Sequence, residues 1–333
     1  MSNRKKLIVI LGPTASGKTD IALKLAKEFK GEIICADSRT IYKGMDIGTA
    51  KAMQDQKYRP KADQPRAGKI KNGYIVNKIP HYMIDVIRPN QEFTVAQFKQ
   101  KAIEIIDDIQ KRNKIPFLVG GTGLYISSLV DNFDIPAIAP DKKLRSKLEK
   151  MAAKYGPDYL WKKLIKLDPK AEKFIQKENI RRVIRALEVC LKTKKPFSQI
   201  RQKGEPLFET LLIGINQPRP ILYQRINQRV DKMIKSGLIN EVKKLMKKYL
   251  PRRIRQLAEK VGPNNLPAFS GIGYKEIISY LRGEISLIEA ADLIKKNTRH
   301  YAKRQITWFK RDERIKWIKK INQAKILIKK FLA

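Results

Sequence analysis

Eight residues near the start of the chain limit its fold more than any other feature. Residues 12–19, Gly-Pro-Thr-Ala-Ser-Gly-Lys-Thr, match the phosphate-binding pattern G-x-x-x-x-G-K-[ST] in full. The apolar run 7–11 precedes them, and Ile21, Leu25 and Phe29 follow at helical spacing. This order predicts a buried parallel strand, a loop that binds phosphate and a helix that begins at that loop.

The residue types of the loop suit phosphate for separate physical reasons. Gly12 and Gly17 let backbone N–H groups approach phosphate oxygens, and the helix N-terminus adds a favourable dipole. Lys18 supplies a cation, and the Thr19 hydroxyl is suited to Mg²⁺. The predicted diphosphate-binding residues are Gly12, Pro13, Thr14, Ala15, Ser16, Gly17, Lys18 and Thr19. Because any diphosphate ester offers the same groups, the loop alone does not identify a nucleotide.

Short apolar segments in the rest of the chain predict further strands, at residues 32–36, 82–87, 115–119 and 211–215. Helical patterns lie between them, including a helix that Thr94 would cap. This alternation predicts an α/β fold in which a mostly parallel sheet is flanked by helices, as in the P-loop NTPases.

Helical patterns dominate the middle of the chain, where strand patterns stop. We therefore expect an all-α insertion at residues 136–205. It would separate the first part of the core, residues 1–135, from its completion, residues 206–333. Residues 51–79 are polar and basic, and we expect a solvated loop there, although Asn72-Gly73 is also typical of a hairpin turn.

The charge of the chain points to a polyanionic partner. It has 72 lysines and arginines against 32 aspartates and glutamates, a formal net charge of +40. Such an excess attracts phosphate backbones, so nucleic acid is the expected partner. A biased genome rich in Lys and Ile would produce the same excess without a functional cause, and composition leaves both explanations open.

The sequence also limits the compartment. No apolar run reaches the roughly 18 residues that a membrane span needs. Residues 4–6 are basic and residues 7–11 apolar, but this run is short for a signal peptide and ends in the phosphate loop. Cys35 and Cys190 lie too far apart to indicate a disulfide framework or a metal cluster, and each is expected to be a small buried hydrophobe. We therefore expect a cytoplasmic protein without a membrane span.

Two features follow predicted strands and should meet the phosphate loop at the carboxyl edge of the sheet. Asp37 follows the second strand, and its carboxylate could hold Mg²⁺ through water, act as a general base, or cap the next element together with Ser38. The turn at residues 120–123, Gly-Gly-Thr-Gly, could admit a substrate backbone or simply make a tight strand-to-helix connection.

Arginines cluster on a predicted helix of the insertion. Arg182 and Arg185 are three residues apart on one face, beside Arg181. They could bind phosphate groups or form an ordinary solvated surface. The same alternatives apply to Arg299 and Lys303, which lie four residues apart near the C-terminus.

Motifs spread over nearly the whole chain resemble those of one family, the tRNA dimethylallyltransferases, also called bacterial-type tRNA isopentenyltransferases. The motifs that carry the resemblance lie at residues 12–19, 36–38, 41–51, 80–85, 120–125, 185–189, 273–274 and 302–309. The resemblance implies transfer of a dimethylallyl group from dimethylallyl diphosphate to the N6 amine of the adenosine 3′-adjacent to the anticodon in tRNA. Diphosphate leaves, and the loop binds that diphosphate, not ATP.

The resemblance also implies roles for individual residues. Asp37 would be the general base and Arg225 an active-site arginine, with Arg229 as the alternative; Lys18 and Thr19 would complete the catalytic set, and Thr19 would contact Mg²⁺. The positions implied to contact tRNA are Asp37, Ser38, Arg39, Thr40, Thr122, Arg145, Arg181, Arg182, Arg185, Gly273 and Tyr274. The insertion would clamp the anticodon stem-loop, and no obligate protein partner is implied.

Three other functions compete with this interpretation. A P-loop small-molecule kinase would use the same loop on ATP, but the later motifs oppose it. An adenylate isopentenyltransferase would prenylate free nucleotides, which the insertion and the positive charge oppose. An RNA-binding protein with a vestigial loop is disfavoured because Lys18, Thr19 and Asp37 are all present.

Overall fold

The computed structural model describes residues 4–52, 73–133, 140–200, 204–250 and 266–333. The chain divides into two compact units, one made of Met1–Ile126 and Leu207–Ala333 and the other of Ser127–Pro206. Most of the basic segment 51–79, including Asn72, lies outside the described residues. In the described ranges, no helix is both long enough and apolar enough to cross a membrane.

The first unit is built on a seven-stranded sheet in which the strands lie in the order β3-β4-β2-β5-β1-β6-β7. In chain order the strands are β1 (Lys5–Leu11), β2 (Gly31–Ala36), β3 (Gly73–Val76), β4 (Ile79–Tyr82), β5 (Ile115–Gly120), β6 (Phe208–Ile215) and β7 (Lys316–Ile318). Every pairing is parallel except that of β3 with β4. The predicted α/β fold with a mostly parallel sheet is confirmed.

Helices follow the strands and make up the second unit. In chain order they are α1 (Lys18–Glu28), α2 (Val95–Lys111), α3 (Gly123–Val130), α4 (Lys142–Tyr155), α5 (Pro157–Leu167), α6 (Ile180–Thr193), α7 (Phe197–Ile200), α8 (Arg219–Lys235), α9 (Leu238–Tyr249), α10 (Tyr274–Leu281), α11 (Leu287–Phe309) and α12 (Ile321–Leu332).

The apolar run that predicted the first strand is the centre of the sheet. β1 lies between β5 and β6, and a parallel strand in that position is covered on both faces, which explains its lack of alternation. On one face Ile8 and Ile10 pack with Ala22 and Leu25 of α1 and with Ile328 of α12. The helix that carries Lys18 and Thr19 is therefore fixed to the central strand.

The predicted cap of α2 is confirmed. The Thr94 hydroxyl accepts a hydrogen bond from Gln97 N at 3.2 Å, and the Gln97 side chain accepts one from Thr94 N at 2.8 Å. These two bonds form a capping box, which satisfies N–H groups that the first turn leaves free. α2 then packs against β2 and β5 through its buried residues.

The prediction for residues 82–87 is wrong in position. The strand β4 ends at Tyr82, because Met83 and Asp85 adopt φ values of 63° and 53°, which an extended strand does not allow. A hairpin joins β3 to β4, but its two turn residues are Asn77 and Lys78, with φ values of 50° and 65°, as a type I′ turn requires. Gly73 is the first residue of β3, where a solvated loop was expected, and Asn72 lies outside the described residues.

The second unit has its own core and its own buried charge cluster. α4, α5 and α6 bury Leu148, Leu160, Leu164 and Leu187 together. Glu188 of α6 is fully buried and accepts hydrogen bonds from groups that surround it. These are Arg145 at 2.7 Å and 3.0 Å, the Asp141 backbone N–H at 2.7 Å and Arg185 at 2.5 Å.

The Glu188 cluster makes the unit depend on pH. Burial by itself raises the pKa of a carboxyl group, but the hydrogen bonds from Arg145, the Asp141 backbone and Arg185 outweigh it and hold the pKa of Glu188 below its ordinary value. A depressed carboxyl pKa stabilises the folded state above the ordinary pKa. That stabilisation is lost as pH falls through the lowered value.

We expect Glu188→Ala to lower the free energy of unfolding of Ser127–Pro206 by about 3 kcal/mol at neutral pH, because it leaves two arginines without their buried partner. Hydrogen–deuterium exchange of α6 peptides measures this loss. The loss should shrink as pH falls below about 4.3, where the unfolded chain begins to take up a proton that the folded wild type binds only at lower pH. Glu149→Ala, an exposed change on α4, is the control, and equal protection of α6 in Glu188→Ala and wild type would contradict the account.

Candidate active site

The phosphate loop lies where the sequence predicts it, between the end of β1 at Leu11 and the start of α1 at Lys18. Gly12 has no space for a side chain, since a Cβ there would lie closer than 3.0 Å to the Ile215 carbonyl oxygen. Ala15 and Gly17 adopt left-handed φ values of 63° and 88°. Left-handed residues of this kind turn successive N–H groups toward one concave surface, which binds anions.

A cavity of about 440 Å³ opens on the loop and is lined by groups from both ends of the first unit's sequence. The lining residues are Thr14, Ala15, Gly17, Lys18, Thr19, Asp20, Ala22, Leu23, Ile33, Cys35, Asp37, Thr40, Thr49, Ala50, Lys51, Ala52, Val76, Asn77, His81, Ile84, Val119, Gly120, Arg229, Tyr301 and Gln305. These lining residues include both polar or charged side chains and aliphatic ones.

Cations surround the loop. Burial lowers the pKa of Lys18 to about 8, although the charge of Asp37 opposes that shift. Arg229 donates to the Thr14 hydroxyl at 3.3 Å, and burial lowers its pKa as well. Arg225, one turn earlier on α8, has a guanidinium nitrogen 3.6 Å from the place where a Cβ of Gly17 would lie. Both arginines considered from the sequence therefore lie beside the loop.

The hydroxyl of Ser16 is an unusual feature of the loop. It is buried, and it has no hydrogen-bond partner within the described part of the chain. A buried hydroxyl without a partner costs free energy, and a phosphate oxygen is the type of acceptor that would relieve this cost. Ser16 thus suits an anion bound in the loop.

Asp37 lies at the end of β2 and lines the same cavity. Its Oδ1 accepts a hydrogen bond from Arg39 N at 2.8 Å, so one of the three roles considered for it, capping the following turn, is present. This bond also fixes the carboxylate in place without neutralising it. The neighbouring thiol, Cys35, is kept protonated because burial and the charge of Asp37 raise its pKa to about 12.

The glycines of the second glycine-rich turn allow it to pack closely against a neighbouring helix. A Cβ on Gly121 would lie closer than 3.0 Å to the Gln305 side chain, and one on Gly123 would lie that close to Trp308. The turn is thus pressed against α11. Thr122 links it to β2, because its N–H donates to Ala36 O at 3.2 Å and its hydroxyl accepts from Ser38 N at 3.1 Å.

Two side chains of α11, Tyr301 and Gln305, line the cavity, and neither was among the predicted site residues. Burial raises the pKa of Tyr301 to about 12, and its side chain forms a hydrogen bond with Thr122. They lie four residues apart, which puts them on one helix face. The four-residue spacing of Tyr301 and Gln305, in and just before the motif 302–309, could have indicated that both side chains face the site. Only the basic residues of this helix, Arg299 and Lys303, were considered from the sequence.

Glu241 and Tyr274 hold a neighbouring loop. Glu241 accepts hydrogen bonds from Asp46 N at 2.9 Å, Ile47 N at 2.7 Å and Gly48 N at 3.1 Å. The Tyr274 hydroxyl donates to the same carboxylate at 2.7 Å, and its ring leaves no space for a side chain on Gly48. The ring of Tyr274 is buried, and the implied tRNA contact of this residue stays a prediction.

The other residues implied to contact tRNA are distributed over both units. Thr40 lines the cavity and its hydroxyl lies 3.3 Å from the Cys35 sulfur, whereas the Arg39 side chain binds Pro267 O and lies 3.5 Å from the Ser270 hydroxyl. The arginines of the insertion lie in the second unit. Arg145 and Arg185 are engaged with Glu188, and Arg181 and Arg182 are exposed on α6.

The fold and the cavity together define the class of this protein: an α/β P-loop protein whose phosphate loop opens on a partly aliphatic cavity beside a carboxylate. Comparisons with known proteins narrow the class. The sequence profile of the IPP transferase family matches residues 40–312, which is more than half of the chain.

Relatives and solved structures agree with that match. A tRNA dimethylallyltransferase of Thermoanaerobacter sp. (strain X514) is 44% identical over 98% of this chain and 98% of its own length. The protein of the same name from Halothermothrix orenii is 47% identical over 93% of this chain and 86% of its own length.

The crystal structure of the full-length tRNA isopentenylpyrophosphate transferase from Bacillus halodurans is 37% identical, with a TM-score of 0.64 over 99% of this chain and 96% of that one. A eukaryotic dimethylallyltransferase captured acting on tRNA is 31% identical, with a TM-score of 0.66 over 91% of this chain and 69% of that one. The chain therefore belongs to the IPP transferase family, and the resemblance seen in the motifs is confirmed.

The lowered pKa of Lys18 predicts how anion binding depends on pH. We expect the affinity for inorganic diphosphate to fall as pH rises through about 8, because the ammonium then loses its proton. Isothermal titration calorimetry over a pH series measures this affinity. A Lys18→Arg variant keeps its charge over the whole series and should show a smaller loss. Identical pH dependence in the two proteins would exclude Lys18 as the titrating group.

Proposed function

We propose that this protein transfers a dimethylallyl group from dimethylallyl diphosphate to the N6 amine of the adenosine 3′-adjacent to the anticodon of tRNA, with release of diphosphate. The observation that carries the proposal is a cavity lined by the phosphate loop, by Asp37 and by aliphatic side chains. The relatives named tRNA dimethylallyltransferase, and the structure of one such enzyme acting on tRNA, support it.

The charged part of the cavity suits the leaving group. When the bond between C1 of the dimethylallyl group and the bridging oxygen breaks, its electron pair leaves with the diphosphate. Negative charge that develops there would be stabilised by Lys18, Arg225, Arg229 and the loop N–H groups, which are already in place before the reaction. The desolvation of Lys18 and Arg229 is offset when the anion binds.

The aliphatic part suits a branched five-carbon group. Ala22, Ile33, Val76, Ile84 and Val119 line it, and side chains of this type bind hydrocarbon by excluding water. Water excluded from this wall also cannot intercept an electron-poor allylic carbon. The cavity thus offers both the charged groups and the aliphatic side chains that the two halves of an allylic diphosphate need.

Asp37 is the proposed general base. The N6 amine of adenine is a weak nucleophile, because its lone pair is delocalised into the ring. As the N6–C1 bond forms, a proton of N6 passes to the free electron pairs of the Asp37 carboxylate, which Arg39 N holds in place. The target adenosine has to leave its base stack to reach this carboxylate, as in other enzymes that modify bases.

Mg²⁺ is the proposed cofactor, and the donor set at the loop suits it. The described residues contain no group of three or more His, Cys, Asp or Glu side chains that would form a metal cage. Mg²⁺ takes few protein ligands and completes its shell with water and substrate phosphates. The Thr19 hydroxyl, which lines the cavity beside Asp37, would hold it, and the bound ion would neutralise charge on the diphosphate.

The tRNA partner is proposed from charge and from the second unit. The net charge of +40 favours a phosphate backbone, and Arg181 and Arg182 are exposed on α6, where they can contact one. We propose that Ser127–Pro206, together with Ser38, Arg39, Thr40 and Thr122, contacts the anticodon stem-loop.

One assay separates this function from its rivals. Dimethylallyl diphosphate is offered with tRNA and then with AMP, and ATP is offered alone with Mg²⁺. We expect a mass increase of one dimethylallyl group on an adenosine of the tRNA, detected by mass spectrometry of its nucleosides. Prenylated AMP would favour the adenylate enzyme, and turnover of ATP without a modified tRNA would favour a kinase.

Asp37→Asn tests the base directly. We expect kcat to fall by about 10²–10⁴-fold, because the amide keeps the shape of the side chain but cannot accept the proton. Rapid-quench kinetics with saturating tRNA and donor measures the loss. Asp107→Asn, at a surface pair with Lys5, is the control. An Asp37→Asn enzyme with the wild-type rate would remove Asp37 from this role.

A further inference from the structure

We propose that Gln305 is a positioning residue for the diphosphate loop: it holds the loop and the second glycine turn in one fixed arrangement, so that the donor binds facing the acceptor. Its effect on catalysis rests on the proposed function. Its effect on the binding of inorganic diphosphate does not.

Gln305 joins two turns that are far apart in sequence. Its Oε1 accepts a hydrogen bond from Thr14 N at 2.8 Å, and its Nε2 donates one to Gly121 O at 2.8 Å. The amide orientation is fixed by chemistry, since only an oxygen can accept from an N–H and only an NH₂ can donate to a carbonyl. The side chain is almost fully buried, with 5% of its surface exposed, so water does not compete for these bonds.

The residues around Gln305 pack closely against its side chain. A Cβ on Gly121 would overlap Nε2 of Gln305, and it would also lie 3.2 Å from Gly12 O. The loop, the second glycine turn and α11 therefore meet without spare volume. A side chain of another length would displace one of the two turns.

Thr14 is held from two sides. Gln305 binds its backbone N–H, and Arg229 binds its hydroxyl at 3.3 Å. Residues of the loop therefore take their position from α11 and α8 as well as from the local turn. Without the Gln305 amide, the partly buried Thr14 N–H would lose its partner, and the loop would no longer be held at this point.

The face of α11 that carries Gln305 also contacts the part of the cavity beside Asp37, the proposed base. Tyr301, one turn before Gln305, contacts Thr122, whose hydroxyl accepts from Ser38 N directly after Asp37. α11 thus carries one contact to the donor loop and one to the base side. A buried glutamine that served only the core would have partners in strands and helices, whereas both partners of Gln305 belong to turns that line the cavity or border it.

Two substitutions test the proposal. Gln305→Met keeps the length of the side chain and removes both hydrogen bonds. We expect it to raise the Kd for inorganic diphosphate and the KM for dimethylallyl diphosphate about tenfold, while the Kd for tRNA changes by less than about twofold. Ile288→Ala, a change on the same helix at a side chain that is 77% exposed, is the control and should leave all three constants unchanged.

Gln305→Glu supplies a readout that general destabilisation would not produce. An ionised carboxylate can accept from Thr14 N but cannot donate to Gly121 O, whereas a protonated carboxyl group can do both. The diphosphate affinity of this variant, divided by that of wild type at each pH, should therefore recover as pH falls from about 8 to about 5. Because Lys18 and diphosphate titrate in both proteins, dividing the two affinities cancels their contribution to the pH dependence.

Three results would overturn the proposal: a diphosphate affinity of Gln305→Met within about twofold of wild type, a Gln305→Glu ratio that does not change with pH, or loss of the folded state in both variants. The last would make Gln305 an ordinary core residue. Diphosphate binding is measured without prenyl transfer, so a failure of the proposed function leaves this test intact.

Discussion

The candidate site depends on positive charge that is already partly desolvated before any ligand arrives. Lys18 and Arg229 both lie in the cavity, and burial lowers the pKa of each. The carboxylate of Asp37 partly compensates Lys18, which explains why the cation and the proposed base lie in one cavity. A bound diphosphate supplies the negative charge that Asp37 alone does not provide to Lys18 and Arg229. The arrangement therefore favours an anion whose departure creates negative charge, and this is the demand of an allylic diphosphate.

Close approach of backbones at one sheet edge makes this arrangement possible. The carboxyl ends of β1, β5 and β2 are neighbours in the sheet, so the loop, the second glycine turn and Asp37 meet without any long connection. Gly12 and Gly121 then allow β6 and α11 to press against the turns. The volume that their missing side chains leave is filled by protein groups, which keeps the turns rigid.

The sequence predicted the parts of this site that are local. The loop is contiguous, and Asp37 follows a strand, so periodicity and the strand-end rule were enough to place both. Gln305 and Tyr301 could not be placed, because their contacts join residues far apart in the chain and helical spacing does not say which face meets the sheet edge. The strand expected at 82–87 failed for a different reason, since backbone turns at Met83 and Asp85 override an apolar pattern. Charge patterning was similarly incomplete: it identified Arg185 but not its buried partner, Glu188, which also binds Arg145.

In the proposed reaction, the loop binds the diphosphate of a prenyl donor and directs its C1 toward Asp37. A crystal structure with the unreactive thiolo analogue of dimethylallyl diphosphate tests it most directly. We expect a diphosphate that contacts Lys18 and backbone N–H groups of the loop that follow Thr14, with the hydrocarbon against Ile33 and Val119 and C1 facing the Asp37 carboxylate. A diphosphate bound away from the loop, or a prenyl group that points away from Asp37, would contradict it.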